Sequence, residues 1–259
     1  MVQQPRVAAP RAYNPTRCLS AEVCGRCARA CPTGAVRVVN GLICFDRSMC
    51  TGCNACVRAC PTGAQTVYGE SVSVDHILKR VDDVFYARSG GGLTLSGGEA
   101  LAQPDFALAL LREAKARRIH ATIETCGHYP TDVLEEACRL LDALIFDVKC
   151  LDSERHKAST GVGNELILRN LHFVFEHFPD LPVLVRTPVI PGFNDTEEDI
   201  LSIREMLPKR STVRYEALTY HRMGQPKYGY LGRPYPLEGV KADEAFMTRL
   251  NAMLKAYQQ

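Results

Sequence analysis

The chain has 259 residues, of which 46% are hydrophobic and 23% are charged, and its net charge is +2. This composition is typical of a globular protein, and no basic block predicts binding to nucleic acid or to a membrane surface. No stretch approaches the ~20 apolar residues of a membrane span, and residues 1–12, expected to be a disordered or residual terminus, lack the apolar core of a signal peptide. We therefore expect a cytoplasmic protein.

Cysteine is the outlier in this composition. Nine of the 12 cysteines lie between Cys18 and Cys60. The reducing cytosol keeps thiols free, so a disulfide framework is not expected. Dense cysteine at short, regular spacing predicts metal ligation instead.

The cysteine segment is an internal repeat. Three cysteines of the first run recur 29 positions later in the second run, and Pro-Thr-Gly-Ala follows both runs. The second run is a complete C-x2-C-x2-C-x3-C-P, the spacing of bacterial two-cluster ferredoxins, in which the thiolate before proline ligates the other cube. We therefore predict two [4Fe–4S] clusters. One is assigned to Cys31, Cys50, Cys53 and Cys56, and the other to Cys18, Cys24, Cys27 and Cys60.

Two cysteines depart from the repeat. A strict repeat would place a ligand at Ala21, whereas the nearest cysteine is Cys18, and we expect a longer loop to carry it to the cube. Cys44 lies in a hairpin predicted over residues 36–45 and turned by Asn-Gly, where we expect it to pack inside rather than to bind iron. A second strand pair around Val67 and Val72 would complete the two-fold ferredoxin module.

Structural zinc is the alternative metal for this segment. Zinc sites usually combine two C-x2-C pairs and stop at four ligands. A triple run followed by Cys-Pro, and then repeated, is poorly explained by such a site.

From Ser73 onward the pattern changes to alternating strands and helices. We predict helices from Ser73 to about Arg88, over 104–118 and over 196–207, and the apolar runs predict five strands. These strands are expected at Leu93–Ser96, Ile119–Glu124, Ala143–Val148, Val183–Ile190 and Thr212–Leu218. Because alternating strands and helices form parallel sheets, the fold class is α/β. We predict a partial (β/α) barrel over residues 71–259, preceded by an α+β ferredoxin-like domain over residues 13–70.

The carboxyl ends of the predicted strands carry the candidate site residues. Ligands of barrels and open parallel sheets bind at this edge. Four of the five strand ends have an ionisable residue at or just beyond the last apolar position, so these groups would face one mouth. Taken alone, each of these residues could have a purely structural role, such as forming a tight turn or a buried ion network. The candidates are Gly97, Gly98, Glu99, Glu124, Asp147, Val148, Lys149 and His221.

These residues resemble the motifs of glycyl-radical enzyme activating enzymes, a family of the radical S-adenosylmethionine (SAM) superfamily. The resemblance rests on Ser-Gly-Gly-Gly-Leu-Thr-Leu-Ser-Gly-Gly-Glu at 89–99, Glu-Thr-Cys-Gly, Phe-Asp-Val-Lys, Val-Ile-Pro-Gly-Phe-Asn-Asp, and Tyr-His followed by Lys-Tyr-Gly-Tyr-Leu-Gly. It covers nearly the whole chain from Tyr13 and is similar to the branch with a two-cluster ferredoxin insertion.

The resemblance implies a radical reaction. An electron cleaves SAM at a third [4Fe–4S] cluster, and the resulting 5′-deoxyadenosyl radical removes hydrogen from a glycine in the C-terminal loop of a partner glycyl radical enzyme. The ferredoxin clusters would relay electrons from a flavodoxin or ferredoxin-type donor, and residues 222–239 would receive the partner's loop. Gly97, Gly98 and Glu99 would hold the methionine amino group, and His221 would close the site. The other polar groups of the cofactor would be contacted by Glu124, Asp147, Val148 and Lys149.

One element of the family pattern is missing. The family holds the catalytic cluster through C-x3-C-x2-C, and the 259 residues contain no such triplet. We expect an amino-terminal truncation that removes the first barrel strand and its cluster loop. The chain as given would then hold two clusters, bind SAM weakly and make no radical. The alternative hypothesis is an iron–sulfur electron carrier, or an inactive paralogue, that uses only the ferredoxin clusters.

Overall fold

The computed structural model describes residues 10–80 and 91–256, which form two compact units. The cysteine unit comprises residues 10–72 and 222–239, and the sheet unit comprises residues 73–80, 91–221 and 240–256. Most of the predicted terminal tail, and the end of the helix predicted to run to about Arg88, lie outside the described residues. Within these ranges no helix is both long and apolar enough to span a membrane.

The regular elements follow one another in a simple order. In the cysteine segment they are β1 (Arg11–Tyr13), α1 (Arg26–Arg29), β2 (Val36–Val39), β3 (Leu42–Phe45), α2 (Ala55–Arg58) and β4 (Gln65–Val67). They continue with α3 (Val74–Arg80), β5 (Gly92–Leu95), α4 (Pro104–Ala116), β6 (His120–Thr125), α5 (Thr131–Cys138) and β7 (Ala143–Asp147). The last are α6 (Ser153–Thr160), α7 (Glu165–His177), β8 (Val183–Val189), α8 (Glu197–Met206), β9 (Val213–Thr219), α9 (Gln225–Tyr230) and α10 (Glu244–Ala256).

The predicted hairpin is confirmed as the antiparallel pair β2–β3. Its turn residues Asn40 and Gly41 have φ angles of 50° and 75°, the left-handed pair that a two-residue type I′ turn needs. The prediction that Cys44 packs inside this hairpin is wrong, because its side chain is exposed. The neighbouring residues Ile43 and Phe45 take the inward positions instead.

The second small strand pair differs from the prediction. β4 pairs with β1, with Arg11 opposite Val67, so the strand expected around Val72 is wrong. The partner strand contains Arg11 and Ala12, which belong to the terminus predicted to be disordered or residual. Both residues are buried, at 6% and 2% exposure. The pairing joins residues more than 50 positions apart, which a local sequence pattern does not reveal.

The five predicted parallel strands are confirmed in the sheet unit. They form one sheet in the order β5-β6-β7-β8-β9, and every neighbouring pair is parallel. The helices predicted at 104–118 and 196–207 correspond to α4 and α8. At the start of α8 the Thr196 hydroxyl accepts a hydrogen bond from the N–H of Asp199 at 3.1 Å, which caps the helix.

The two faces of this sheet have different chemistry. Residues on one face, such as Phe146 and Val185, are fully buried in an apolar core with residues of the surrounding helices. Alternate residues point to the other face, where Asp147 and Arg186 are partly exposed. Polar side chains of the strands that could contact a ligand therefore lie on this second face.

Candidate functional site

A cavity in the cysteine unit is lined by four of the predicted iron ligands. Tyr13, Ile43 and Gln65 also contribute to its walls. Cys60 reaches this cavity from the second run, which is the crossing that two-cluster ferredoxins use. The four cysteines are Cys18, Cys24, Cys27 and Cys60.

Two of the other predicted ligands, Cys31 and Cys50, lie near a third, Cys56. Burial raises the pKa of Cys56, and the nearby thiols of Cys31 and Cys50 raise this pKa further. Cys31 packs against the small buried cluster that contains Cys56. The fourth predicted ligand, Cys53, is exposed in the turn that precedes α2.

The structure also explains why Cys18 departs from the sequence repeat. Cys18 follows a one-turn 3-10 helix (Pro15–Arg17) capped by Asn14, and Cys50 follows a matching helix (Arg47–Met49) capped by Asp46. The two cysteines are therefore structurally equivalent although they lie 32 positions apart rather than 29. The three extra residues between Cys18 and Cys24 are accommodated in the loop.

Backbone N–H groups stabilise the thiolates that precede proline. Burial alone would raise the pKa of Cys31, but hydrogen bonds led by the backbone N–H of Val36 lower it overall. Cys60 behaves in the same way, and the N–H of Gln65 lies 3.4 Å from its sulfur. Because the thiolate is the form that ligates metal, both positions favour ligation.

The described cysteines are not gathered around one ion-sized centre. Within residues 10–80 and 91–256, no three His, Cys, Asp or Glu side chains converge as the ligands of one metal ion do. A zinc ion needs all its sulfur ligands at about 2.3 Å from one centre. In a [4Fe–4S] cube each thiolate binds a different iron, so the sulfurs stand farther apart around a larger body.

The second group of candidate residues lies at the carboxyl edge of the sheet, where Glu99 is held by three donors. One carboxylate oxygen accepts hydrogen bonds from the N–H of Leu101 at 3.1 Å and the hydroxyl of Thr125 at 2.7 Å. The other accepts from the N–H of Cys126 at 2.9 Å. Since a carboxylate offers about four lone-pair sites, about one remains for a cationic ligand group.

The two glycines before Glu99 leave open space. A Cβ atom added to Gly97 or Gly98 would meet no atom within 4 Å. Gly97 has a φ of 117°, which L side chains rarely adopt, so its backbone is held in a conformation reserved for glycine. A ligand can therefore approach this backbone closely.

Asp147 and Lys149 form an ion pair beside this edge. Lys149 Nζ lies 3.1 Å from Asp147 Oδ2, and both side chains are 25% exposed. Val148 points into the core, and its carbonyl accepts a hydrogen bond from the Thr187 hydroxyl at 2.7 Å. The side-chain amide of Asn194 donates to the carbonyl of Lys149 at 2.6 Å. These backbone contacts fix the direction of the two charged side chains.

Arg186 extends the charged face across three strands. It lies opposite Asp147 in the β7–β8 register and donates to Glu124 and Glu216, each at 3.3 Å. Sequence reasoning missed Arg186, Glu216 and Thr125. The signal for Arg186 was a charge in the middle of an apolar strand, where a partner or a ligand is needed.

His221 is exposed two residues beyond the end of β9, at the same carboxyl edge of the sheet. Within the described residues, no hydrogen bond or ion pair links it to Glu99 or Asp147. Two further cysteines near the sheet are neutral at ordinary pH. Burial raises the pKa of Cys126, and it raises that of Cys138 to about 12.

Comparisons with known proteins agree with this arrangement. The model of the Radical SAM superfamily matches residues 47–203. A domain of a pyruvate-formate lyase-activating enzyme from Bacteroides vulgatus has a similar structure, with a TM-score of 0.52 and 28% identity; the match covers 65% of this chain and 95% of that one.

Two curated relatives cover nearly the whole chain. The (2S)-3-sulfopropanediol sulfolyase activating enzyme of Bilophila wadsworthia is 81% identical over 96% of this chain and 83% of its own length. The isethionate sulfite-lyase activating enzyme of Oleidesulfovibrio alaskensis is 48% identical over 95% of this chain and 80% of its own length. The chain therefore belongs to the radical SAM superfamily and, within it, to the activating enzymes of glycyl radical enzymes, as its motifs predicted.

Proposed function

We propose that the partner of this chain is a (2S)-3-sulfopropanediol sulfolyase. The observation that carries this proposal is the 81% identity to the activating enzyme named for that lyase. The relative named for isethionate sulfite-lyase is only 48% identical. Because an activating enzyme recognises its partner through its surface, the greater similarity favours the sulfopropanediol enzyme.

Residues 13–70 form a ferredoxin-like domain that holds two [4Fe–4S] clusters, with the ligand sets predicted from the sequence, and the sheet unit forms the SAM-binding domain. The four-cysteine cavity, the grouping of Cys31 and Cys50 around Cys56, and the equivalence of Cys18 with Cys50 support this assignment. When bound, such clusters supply one-electron reduction at low potential. The protein's part is to hold the thiolates and to direct backbone N–H groups at them.

Gly97, Gly98 and Glu99 bind the methionine amino group of SAM. The remaining acceptor site of the Glu99 carboxylate and the open space beside the glycines support this role. SAM supplies the adenosyl group for radical chemistry when it is bound. A pure electron carrier has no use for a carboxylate held by three donors beside an open glycine pair.

The remaining candidate residues complete this cofactor site. Asp147, Lys149 and Glu124 contact other polar groups of SAM, and His221 closes the site from the end of β9. Val148 contributes through its backbone, since its side chain is buried. No C-x3-C-x2-C is present among the 259 residues, so we assign no residue of this chain to the catalytic cluster.

Residues 222–239 receive the C-terminal glycine loop of the partner. Met223 and Tyr228 in this segment are 75% and 37% exposed, which makes apolar surface available for docking. A flavodoxin or ferredoxin-type protein supplies the electrons. We place these reactions in the cytoplasm, whose reducing potential keeps the cysteines free of disulfides and available as ligands.

Competition for the partner tests this function. The chain is added in excess to the Bilophila wadsworthia activating enzyme and its lyase, and the glycyl radical is measured by electron paramagnetic resonance (EPR). We expect a lower radical yield, because the added chain occupies the docking surface of the lyase. The isethionate lyase and its own activating enzyme serve as the control pair. Equal inhibition of both pairs, or of neither, contradicts the proposed partner.

A pair of surface variants tests the docking segment in the same assay. Met223→Asp places a charge on the proposed surface and is expected to abolish the competition. Val162→Asp places the same charge at an exposed valine of the sheet unit and is expected to leave the competition intact. Equal competition by both variants contradicts docking at residues 222–239.

A further inference from the structure

The two proposed cluster sites differ in one buried charge. Arg11 is 6% exposed, and its guanidinium donates to the sulfur of Cys56 at 2.7 Å and to the side chain of Asn54. Cys56 itself is 5% exposed. A positive charge is therefore in direct contact with one ligand of the cluster site formed by Cys31, Cys50, Cys53 and Cys56, here called the Arg11 site.

This charge has no carboxylate partner. None of the ion pairs among the described residues involves Arg11, and its Nε atom is buried without a hydrogen-bond partner. A buried arginine needs an anion close by, since removing an unpaired charge from water is costly. The group that Arg11 contacts is the sulfur of Cys56, which becomes an anion when it ligates a cluster as a thiolate.

Arg47 adds to the positive charge on the same side. Its guanidinium donates to the carbonyl of Arg11 at 3.0 Å, and it lies near the thiol of Cys50. Both arginines are therefore close to ligands of the Arg11 site.

The other cluster site lacks such a group at the matching position. Under the 32-residue offset that relates Cys18 to Cys50, the counterpart of Arg11 is Ile43, which lines the four-cysteine cavity. Arg26 also lines this cavity, but it is exposed, so water screens its charge. Arg29 and Arg58 occupy equivalent positions and donate to the carbonyls of Cys24 and Cys53, so their effects are similar at the two sites.

We propose that Arg11 sets the order in which the two clusters are reduced. Reduction transfers one electron from the external donor to an iron of a cube, which makes that cube one charge more negative; no bond breaks and no proton moves. A buried guanidinium that donates to a ligand sulfur stabilises the more negative state and raises the reduction potential. The first electron to enter the chain therefore rests at the Arg11 site.

This inference rests on the two-cluster proposal, and one preparation tests both separately. The full chain is reconstituted with iron and sulfide under anaerobic conditions. Two cubes require about eight irons per chain, and a much lower content in the unaltered chain refutes the two-cluster proposal. With the iron in place, a redox titration followed by EPR should resolve two midpoint potentials. If the two midpoint potentials of the unaltered chain coincide, the inference is overturned and no variant is needed.

Two substitutions of Arg11 provide the decisive measurement. Arg11→Gln and Arg11→Met are both expected to lower the higher midpoint by at least the equivalent of a tenfold change in equilibrium constant, which is 59 mV for one electron. The lower midpoint should stay unchanged. Arg17→Gln, which removes an exposed charge next to Cys18, is the matched control and should shift either midpoint less.

The cluster that responds must also be identified. Cys53→Ala removes a ligand of the Arg11 site only, and it should eliminate the signal with the higher midpoint. The inference is overturned if the Arg11 variants shift both midpoints equally or shift the lower one. Loss of this cluster in both Arg11 variants also overturns it, because Arg11 would then hold the cluster rather than tune it.

Discussion

The cysteine unit and the sheet unit are stabilised in different ways. The buried apolar residues of the cysteine unit are all small. In the described part of that unit they are Ala12, Ala21, Cys27, Ala35, Val36, Cys56 and Ala64. The sheet unit instead has a continuous core of leucine, valine, isoleucine and phenylalanine between strands and helices. Small buried residues bury little apolar surface, so we expect the proposed clusters to stabilise the cysteine unit, whereas the sheet unit depends on the hydrophobic effect.

Removal of iron should give the largest effect and should separate the two units. After anaerobic chelation we expect the backbone amides of residues 11–67 to lose nearly all protection from hydrogen exchange, because little apolar burial remains to hold this region. Amides of the central strands β6–β8 should keep their protection. Hydrogen exchange followed by mass spectrometry measures both regions at once. Equal loss in the two regions would show that the sheet unit also depends on the clusters.

A core substitution in the sheet unit is the converse experiment. Phe146 is 0% exposed, so Phe146→Ala should reduce the free energy of unfolding of the sheet unit by about 3–5 kcal/mol. The iron content of the chain should not change. Urea unfolding followed by circular dichroism measures the loss. Phe173→Ala removes a half-buried ring that stacks on His177 and is expected to cost less. A similar cost for both would contradict the assignment of Phe146 to the centre of the core.

The polar edge of the sheet should matter for ligand binding. Glu99→Gln keeps the shape of the side chain but removes its charge, and a hydrogen bond to a charged group contributes about 1.5–3 kcal/mol. The dissociation constant for SAM should therefore rise roughly 10- to 100-fold. Equilibrium dialysis measures this change. Glu136→Gln removes an exposed charge on α5 and should leave the affinity unchanged. Unchanged affinity in Glu99→Gln would exclude this carboxylate from the cofactor site.

Two glycines of the sheet unit distinguish a ligand role from a structural one. Gly98→Ala fills open space and should change the free energy of unfolding by less than about 0.5 kcal/mol while weakening the binding of SAM. Gly127→Ala should destabilise the fold by more than about 1 kcal/mol. Gly127 has a φ of 72°, and its added Cβ would lie 2.1 Å from the ring of Phe146. Normal SAM binding by Gly98→Ala would argue against a ligand beside this glycine.

A small effect, on stability alone, is expected at a helix cap of the sheet unit. Thr196→Ala removes the hydroxyl that accepts from the N–H of Asp199 and should cost about 1 kcal/mol. Iron content and SAM affinity should stay the same. Thr248→Ala, within the exposed part of α10, provides a control for the loss of a threonine hydroxyl outside a cap. A larger loss for the control than for Thr196→Ala would contradict the capping role.

Much of the fold could be predicted from local sequence patterns, for physical reasons. Apolar runs predicted all five parallel strands, because a strand in a sheet that packs against helices must bury every second residue. The Asn-Gly pair located the hairpin turn because these residues tolerate positive φ. Polar residues at strand ends suggested the edge that carries Glu99, Asp147 and Lys149.

Other features depend on residues that are distant in the chain. The sequence offered no local sign that Arg11 begins a strand, because the partner strand β4 follows more than 50 positions later. Arg186 stood in an apolar run, but its partners Glu124 and Glu216 belong to two other strands. The exposure of Cys44 depended on which face of the hairpin turned inward.

The sequence by itself determined the spacing of the cysteines, the alternation of strands and helices, and membership of the activating-enzyme family. These properties are local or repetitive, so they follow from neighbouring residues. Only the tertiary structure decided that the guanidinium of Arg11 touches Cys56 and that three donors hold Glu99. Such contacts join segments far apart in the chain, and their geometry is set by the packing of whole elements rather than by any local pattern.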